Sequence, residues 1–168
     1  MKRILKRLSP YLGRGEHLLY MMQQMQNAEK RGWKRTANFL RNRIYVKHAC
    51  DISQRARIGQ GLKLPHPIGV VIGEGAQIGN FVTIYHNVTI GRKRMEKPEY
   101  PVIGDHAVVY CGALIVGNVT VGHHSIVQAY SIVDQDVPPD SIHCANGAVK
   151  PLRGAKSAGR DASGGMNA

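Results

Sequence analysis

The sequence has few aromatic residues, few cysteines and no long apolar run. Phe, Trp and Tyr make up 6% of the 168 residues. The cysteines, Cys50, Cys111 and Cys144, are an odd number and lie far apart, which argues against a disulfide framework and predicts a reducing, cytoplasmic location. Since no apolar run approaches 18 residues and no apolar signal core follows the basic start, we expect neither an integral membrane segment nor a secretory signal.

Acidic residues are scarce at the start of the chain. The net charge is +12, and residues 1–48 hold 12 Lys and Arg against 2 Asp and Glu. Such a basic arm can bind nucleic acid or an anionic membrane, or it can be a solvated helix surface. We favour the solvated surface and expect no nucleic-acid partner, because no zinc-finger spacing, helix-turn-helix pattern or aromatic RNA motif accompanies the charge.

A six-residue repeat organises the middle of the chain. An aliphatic residue, here called the anchor, recurs at every sixth position, and a small or modest residue follows four places later. The anchors are Ile52, Ile58, Leu64, Ile72, Ile78, Ile84, Ile90, Ile103, Val109, Ile115, Val121, Val127 and Val133. A period of six excludes an α-helix and is typical of a parallel β-helix, in which each repeat is a short strand and a tight bend.

The repeat loses its step at two places and is absent at both ends. Two extra residues lie between Leu64 and Ile72, and the step from Ile90 to Ile103 contains a predicted exposed loop at 92–101. Apolar stripes predict helices over 13–28 and 32–46. We therefore predict a basic helical cap at 1–48, a β-helix at 49–149 and a flexible tail at 150–168.

His66 is the best candidate for a catalytic residue, because it lies between two prolines at the first break in the repeat. Imidazole suits general-base catalysis, since its pKa lies near neutrality. The base needs an orienting acceptor, and Asp51, at the entrance to the first coil, is one candidate. The alternative for a histidine in a bend is a hydrogen-bonded turn residue. His86 is predicted to line the same pocket or to cap a corner.

Two further groups of residues have predicted positions. The loop residues Arg92 and Lys93, with Arg94 and Lys97, could bind phosphates or form a solvated loop. The remaining bend histidines are predicted to lie at the surface; they are His106, His123, His124 and His143.

Three segments resemble the serine acetyltransferase group of hexapeptide-repeat, left-handed β-helix acyltransferases. They are residues 51–61 (DISQRARIGQG), 65–74 (PHPIGVVIGE) and 82–91 (VTIYHNVTIG), with VPPDS at 137–141 ending the repeats. The resemblance implies a mainly β fold, a left-handed parallel β-helix of triangular cross-section after a short α-helical N-terminal segment.

The resemblance also implies an activity and an assembly. It implies a homotrimer with acetyl-CoA in the groove between neighbouring prisms, and no metal. His66 would deprotonate the acceptor hydroxyl while Asp51 orients it. Three repeats per turn would stack His66, His86, Cys111 and Ala129 in one column. Cys111 and Ala129 would then lie along the coenzyme A arm, and Gly91 near the acyl group.

The sequence also departs from the serine acetyltransferase pattern. Pro65 replaces the Asp that holds the amino acid, and Glu99-Tyr100-Pro101 replaces an Arg-His-Pro of the loop, so Tyr100 is our predicted substrate contact there. The C-terminal isoleucine that docks cysteine synthase is absent, so no such partner is expected. Related short enzymes acetylate sugars, and the acceptor is therefore predicted to be L-serine or a saccharide.

Two other classes of function remain open from the sequence. A β-helix hydrolase or carbonic anhydrase-like enzyme would bind zinc through His66, His86 and one of His123 or His124. A non-catalytic scaffold would use the basic N-terminal arm for binding.

Overall fold

Two helices precede a coil of short strands. The structure is a computed structural model that describes residues 13–94, 96 and 98–152. The helices are α1 (Arg14–Lys30) and α2 (Lys34–His48). Each begins and ends within two residues of its predicted bounds, so both helix predictions are confirmed. Neither described helix has the length and apolarity needed to cross a bilayer.

The strands wind in turn through three sheets. Sheet A has the order β1-β3-β6-β9-β12, sheet B β10-β7-β4-β2, and sheet C β14-β13-β11-β8-β5. The strands are β1 (Asp51–Ile52), β2 (Arg57–Ile58), β3 (Val71–Ile72), β4 (Gln77–Ile78), β5 (Thr83–Ile84), β6 (Thr89–Gly91), β7 (Val102–Ile103), β8 (Val108–Val109), β9 (Leu114–Val116), β10 (Thr120–Val121), β11 (Ile126–Val127), β12 (Ile132–Val133), β13 (Ser141–His143) and β14 (Val149–Pro151). Within each sheet the pairs are parallel, except that β14 runs antiparallel to β13. This winding confirms the predicted parallel β-helix.

The repeat positions form the core of the prism. Every anchor except the half-buried Ile58 is buried. The residues four places after the anchors are buried as well, except Ile68 and Arg94, which lie at the two breaks in the repeat. Anchors stack on anchors, as where Ile72 pairs with Ile90 and Ile90 pairs with Ile115. Burying each such side chain stabilises the fold by about 1.5–3 kcal/mol, so the aliphatic ladder accounts for a large stabilising contribution without aromatic residues.

The helices close the N-terminal end of the prism. Leu18, Met25 and Ile44 belong to the same buried cluster as Ile52 of the first coil. The amide of Gln26 donates to the carbonyl oxygen of Ala56 at 2.9 Å. Helix α1 is therefore fixed to the first coil by both apolar packing and hydrogen bonding.

The last coil corrects one prediction. His143 was expected at the surface, but it is 1% exposed and pairs with the anchor Val127 in sheet C. The reason is a shorter last coil, with 16 residues between Val127 and His143. The tail predicted from 150 begins instead as part of β14, and residues 153–168 lie outside the described residues.

A pair of histidines joins the two helices. His17 Nδ1 and His48 Nε2 lie 2.9 Å apart, and Lys47 Nζ lies 3.3 Å from His17 Nε2. Burial lowers the pKa of both imidazoles below the ordinary value of 6.5, and nearby Lys47 lowers both further, as His17 and Arg14 do for His48. The folded pair therefore binds protons less readily than the same two histidines do in the unfolded chain.

This pair should make the protein less stable in mild acid. As the pH falls below about 6.5, His17 and His48 bind more protons in the unfolded chain than in the folded protein. The free energy of unfolding therefore decreases. We expect the melting temperature to fall between about pH 7.5 and about pH 5.5, and to fall less in a His17→Gln/His48→Gln variant. His106→Gln, at an exposed corner, is the control. An identical acid shift in the double variant and the wild type would contradict the assignment.

Candidate active site

His66 lies at the corner where the chain passes from sheet C into sheet A. This site corner comprises residues 65–70 and, on successive coils, 85–88, 110–113 and 128–131. The imidazole is exposed, and the backbone oxygen of His66 accepts a hydrogen bond from the amide of Ile68 at 2.9 Å. Gly69 has a φ of +67°, and a Cβ there would collide with the side chain of Asn87. The two-residue insertion thus makes a tight turn that presents His66 to solvent.

A buried thiol anchors this turn from below. Cys50 is 0% exposed, and its thiol donates to the carbonyl oxygens of Pro67 at 3.3 Å and of His48 at 3.4 Å. Burial raises the pKa of Cys50, so it remains a protonated donor. This role was not predicted from the sequence. A signal was present, because Cys50 lies two places before the anchor Ile52, where other repeats have an inward residue.

The predicted column is confirmed by the backbone register. Ile84 pairs with Val109, and Val109 pairs with Val127, so residues two places after each anchor stack. The amide of Gly112 donates to the carbonyl oxygen of His86 at 3.0 Å, and that of Tyr130 donates to Cys111 at 2.9 Å. The column therefore runs from His66 and His86 through Cys111 to Ala129.

His86, in this column, has a buried ring nitrogen without a hydrogen-bond partner. Its ring centroid lies 6.1 Å from that of His66, with the two planes at 73°. Its Nδ1 is buried and has no hydrogen-bond partner among the described residues. An orphaned buried polar atom costs about 1–3 kcal/mol, so the ring of His86 is held here at a cost in stability.

Two tyrosines form an aromatic wall beside the histidines, which the sequence analysis did not identify. The rings of Tyr85 and Tyr110 are stacked with centroids 5.1 Å apart, and Tyr85 lies 6.4 Å from His66. Both directly follow an anchor, and that shared repeat position could have revealed the pair.

Asp51 is held by helix α2 rather than by His66. Arg41 Nε and a terminal guanidinium nitrogen lie 2.9 and 2.8 Å from the same Asp51 oxygen. Within the described part of the chain, no hydrogen bond joins Asp51 to His66. A polar cavity of about 400 Å³, lined by Asn38, Arg41, Asn42, Tyr45 and Asp51, adjoins this ion pair.

The predicted loop contacts lie at the next corner, between sheets A and B. Tyr100 packs on Gly73 and Gly75, where an added Cβ would meet its ring. Gly73 follows strand β3, whereas His66 precedes this strand. Within one chain, Tyr100 and His66 therefore lie at opposite ends of the strands of sheet A.

The predicted phosphate-binding residues lie at this same corner. Arg92 and Lys93 are exposed, and Lys93 Nζ lies 3.0 Å from Asp134 Oδ2. Gly91 ends β6, and a Cβ on it would meet nothing within 4 Å. Gly91 thus borders open space, while Lys93 is engaged in an ion pair.

The histidines proposed as zinc ligands do not converge. His123 and His124 lie at the third corner, between sheets B and C, whereas His66 and His86 lie at the site corner. Over residues 13–94, 96 and 98–152, no three histidine, cysteine or acidic side chains are arranged to bind a metal ion.

Comparison with known proteins gives consistent matches. The family described as Bacterial transferase hexapeptide (six repeats) matches residues 69–93. Serine acetyltransferase 2 of Arabidopsis thaliana is 39% identical over 136 residues, which are 80% of this chain and 42% of that protein. The chain thus spans less than half the length of this curated relative.

Solved structures agree with the sequence matches. Serine acetyltransferase from Neisseria gonorrhoeae has a TM-score of 0.76 and 36% identity, covering 82% of this chain and 54% of that chain. Serine acetyltransferase from Brucella abortus strain S19, solved in complex with coenzyme A, has a TM-score of 0.74 and 33% identity, covering 76% and 52%. Most of the chain is therefore similar to serine acetyltransferases, and its hexapeptide repeats form a left-handed β-helix.

Proposed function

We propose that the protein transfers an acetyl group from acetyl-CoA to the hydroxyl of L-serine. The observation that carries this proposal is the exposed His66, fixed at the break in the repeat and stacked on His86 in a column that continues to Cys111 and Ala129. The names of the relatives and of the solved structures support both the donor and the acceptor.

The proposed reaction needs one base and one site for the developing negative charge. The imidazole of His66 takes the proton of the acceptor hydroxyl, and the oxygen forms a bond to the thioester carbonyl carbon. Backbone N–H groups stabilise the resulting oxyanion. The carbon–sulfur bond then breaks, and the coenzyme A sulfur leaves with the proton from the imidazolium. The products are the O-acetyl ester and free thiol.

In the assembly proposed below, the donor would lie between the column of one chain and the open side of Gly91 in a neighbouring chain. Cys111 and Ala129 are half-buried and offer little steric hindrance above His86. Arg92 and Lys93 would then contact the coenzyme A phosphates, and Lys93 would leave the Asp134 carboxylate to bind a phosphate. Asp51 would orient His66 by exchanging its pairing with Arg41 for one with the imidazole.

We infer that the working assembly is a homotrimer with sites between chains. Support comes from the outward side of sheet A, where Val71 is 37% exposed and Ile132 is 62% exposed. They lie on one outward row of the sheet with Thr89 and Leu114, and a continuous apolar surface of this kind suits an interface between chains. A neighbouring chain packed there would bring its own Tyr100 loop toward His66, which one chain cannot do.

The three free cysteines support a cytoplasmic location for this assembly.

A saccharide is the second candidate acceptor. Pro65 precedes the base where the resembling enzymes have an Asp that holds the amino acid, and Asp51 is neutralised by Arg41. A site with fewer carboxylates is less suited to an ammonium group, whereas tyrosine and amide side chains suit a sugar.

The test is an acceptor panel with acetyl-CoA. Thiol release is measured with L-serine, D-serine, L-homoserine and a set of mono- and disaccharides, and the acetylated product is identified by mass spectrometry. Release with L-serine and formation of O-acetylserine would support the first proposal. If only sugars are acetylated, the acceptor is a saccharide and not L-serine. If neither L-serine nor any sugar supports thiol release, both proposals are wrong.

Cys111 offers a test of where the donor lies. All three cysteines are free, Cys50 is buried, and Cys111 and Cys144 are partly exposed. We expect iodoacetamide to inhibit acetyl transfer by alkylating Cys111, and acetyl-CoA to protect against it. Cys111→Ala should remain active and lose this sensitivity, whereas Cys144→Ala should stay sensitive. Equal inhibition of both variants would contradict this placement of the donor.

A further inference from the structure

Helix α2 carries a strongly basic outer surface. It contains Lys34, Arg35, Arg41, Arg43 and Lys47, and no acidic residue. Its inner side is buried through Ala37, Ile44 and His48. The remaining surface of the helix is therefore positively charged.

The same outer surface also exposes large apolar side chains. Phe39 is 62% exposed and Val46 is 83% exposed. With Arg35 and Asn42 they follow the spacing i, i+4, i+7 and i+11, which places them on one stripe of a helix. Arg43 borders this stripe four residues after Phe39. We call the exposed residues Arg35, Phe39, Asn42, Arg43 and Val46 the outer stripe.

The charges of the outer stripe are not neutralised within the described residues. The ion pairs found there use Arg41, Arg55, Lys93 and His123, and none uses Arg35 or Arg43. By contrast, Arg41 faces inward to Asp51. Both the cationic and the apolar groups of the stripe are therefore available to a partner outside the chain.

The outer stripe combines cationic and apolar groups, and possible partners differ in whether they can bind both. A second copy docked stripe to stripe would set arginines against arginines, which is unfavourable. A nucleic acid would use the arginines but gain little from Phe39 and Val46. An anionic bilayer surface uses both, because aromatic and aliphatic groups enter the interfacial region while Lys and Arg contact lipid phosphates.

Two aromatic residues outside the stripe, on or next to helix α2, are exposed as well. Trp33, at the start of the helix, is 56% exposed, and Tyr45 is 60% exposed. Tryptophan and tyrosine are enriched at membrane–water interfaces. The sequence of residues 1–12 adds four more Lys and Arg and no acidic residue.

We propose that helix α2 docks the protein reversibly on membranes that contain anionic phospholipids, through the outer stripe. The helix lies along the surface with Phe39 and Val46 toward the acyl chains and with Arg35 and Arg43 among the phosphates. The protein is then a peripheral one, held by a helix that caps the β-helix. This proposal does not depend on which acceptor the enzyme uses.

Vesicle sedimentation of the full chain tests the proposal. The vesicles are phosphatidylcholine alone, or phosphatidylcholine with about one third phosphatidylglycerol, at low and at high salt. We expect binding to the anionic vesicles, at least tenfold weaker binding to the neutral ones, and loss of binding at high salt. Phe39→Ser/Val46→Ser and Arg35→Gln/Arg43→Gln should each weaken binding at least tenfold. Arg57→Gln/Lys150→Gln, which removes two exposed charges from the β-helix, should bind as the wild type does.

Melting temperature and thiol release are measured on every variant, so that unfolding is separated from lost binding. The proposal is overturned by absent binding, by equal binding to neutral vesicles, or by equal weakening in the Arg57/Lys150 control. It is also overturned if Phe39→Ser/Val46→Ser abolishes self-association instead, or if duplex DNA binds and vesicles do not.

Discussion

The His66→Gln variant should release thiol from acetyl-CoA about 100 to 10,000 times more slowly than the wild-type protein, since a positioned general base contributes about that factor. Glutamine keeps the size and a polar end but cannot accept the hydroxyl proton. The turn should survive the change, because Cys50 holds the neighbouring Pro67 carbonyl and the imidazole itself is exposed. Activity should therefore fall without a matching fall in stability.

Two other histidines provide controls for this result. His86→Gln should reduce thiol release less than His66→Gln does. The reason is that His86 only lines the column and does not lie on the exposed turn at residues 65–70. His106→Gln should be close to wild type, because His106 is exposed at the corner between sheets B and C and stacks on Phe81 with ring centroids 5.1 Å apart. Thiol release with saturating acceptor and a thermal melt are measured for all three. Equal, mild losses in His66→Gln and His86→Gln would show that neither is the base.

Most of the fold could be predicted because the β-helix is specified locally. Each coil must place two inward residues per repeat against the coils above and below, so the aliphatic period appears directly in the sequence. Ile72, Ile90 and Ile115 show this, since all are anchors and all pair within sheet A. The site column followed from the same counting, because residues at equal offsets from stacked anchors must also stack.

The rest depended on contacts between distant parts of the chain. Arg41 reaches Asp51 only because helix α2 folds back onto the first coil, and no repeat position indicates that pairing. The burial of His143 arose from a coil of altered length, which moved a polar residue into an anchor position. The place of Tyr100 depends on a loop that has no anchor of its own.

The homotrimer proposed above should dissociate when a charge is placed on the outward side of sheet A. Ile132 is 62% exposed on the edge strand β12 and pairs with Leu114, so it lies on the outward surface assigned to the neighbouring chain. We expect Ile132→Lys to convert trimers into monomers, because burying an unpaired ammonium group in an apolar interface costs several kcal/mol. The anchors point away from this surface, so the prism itself should stay folded. Size-exclusion chromatography with light scattering measures the assembly.

Activity should disappear together with the trimer, because within one chain Tyr100 and His66 lie at opposite ends of the strands of sheet A. The matched control is Gln77→Lys, which adds the same charge to an exposed outward position of sheet B and should leave both mass and activity unchanged. A monomeric Ile132→Lys protein with full thiol release would show that a single chain completes the site. A trimeric, fully active Ile132→Lys protein would place the interface on another face. Joint loss of mass and activity, with Gln77→Lys intact, is the outcome that a site shared between chains requires.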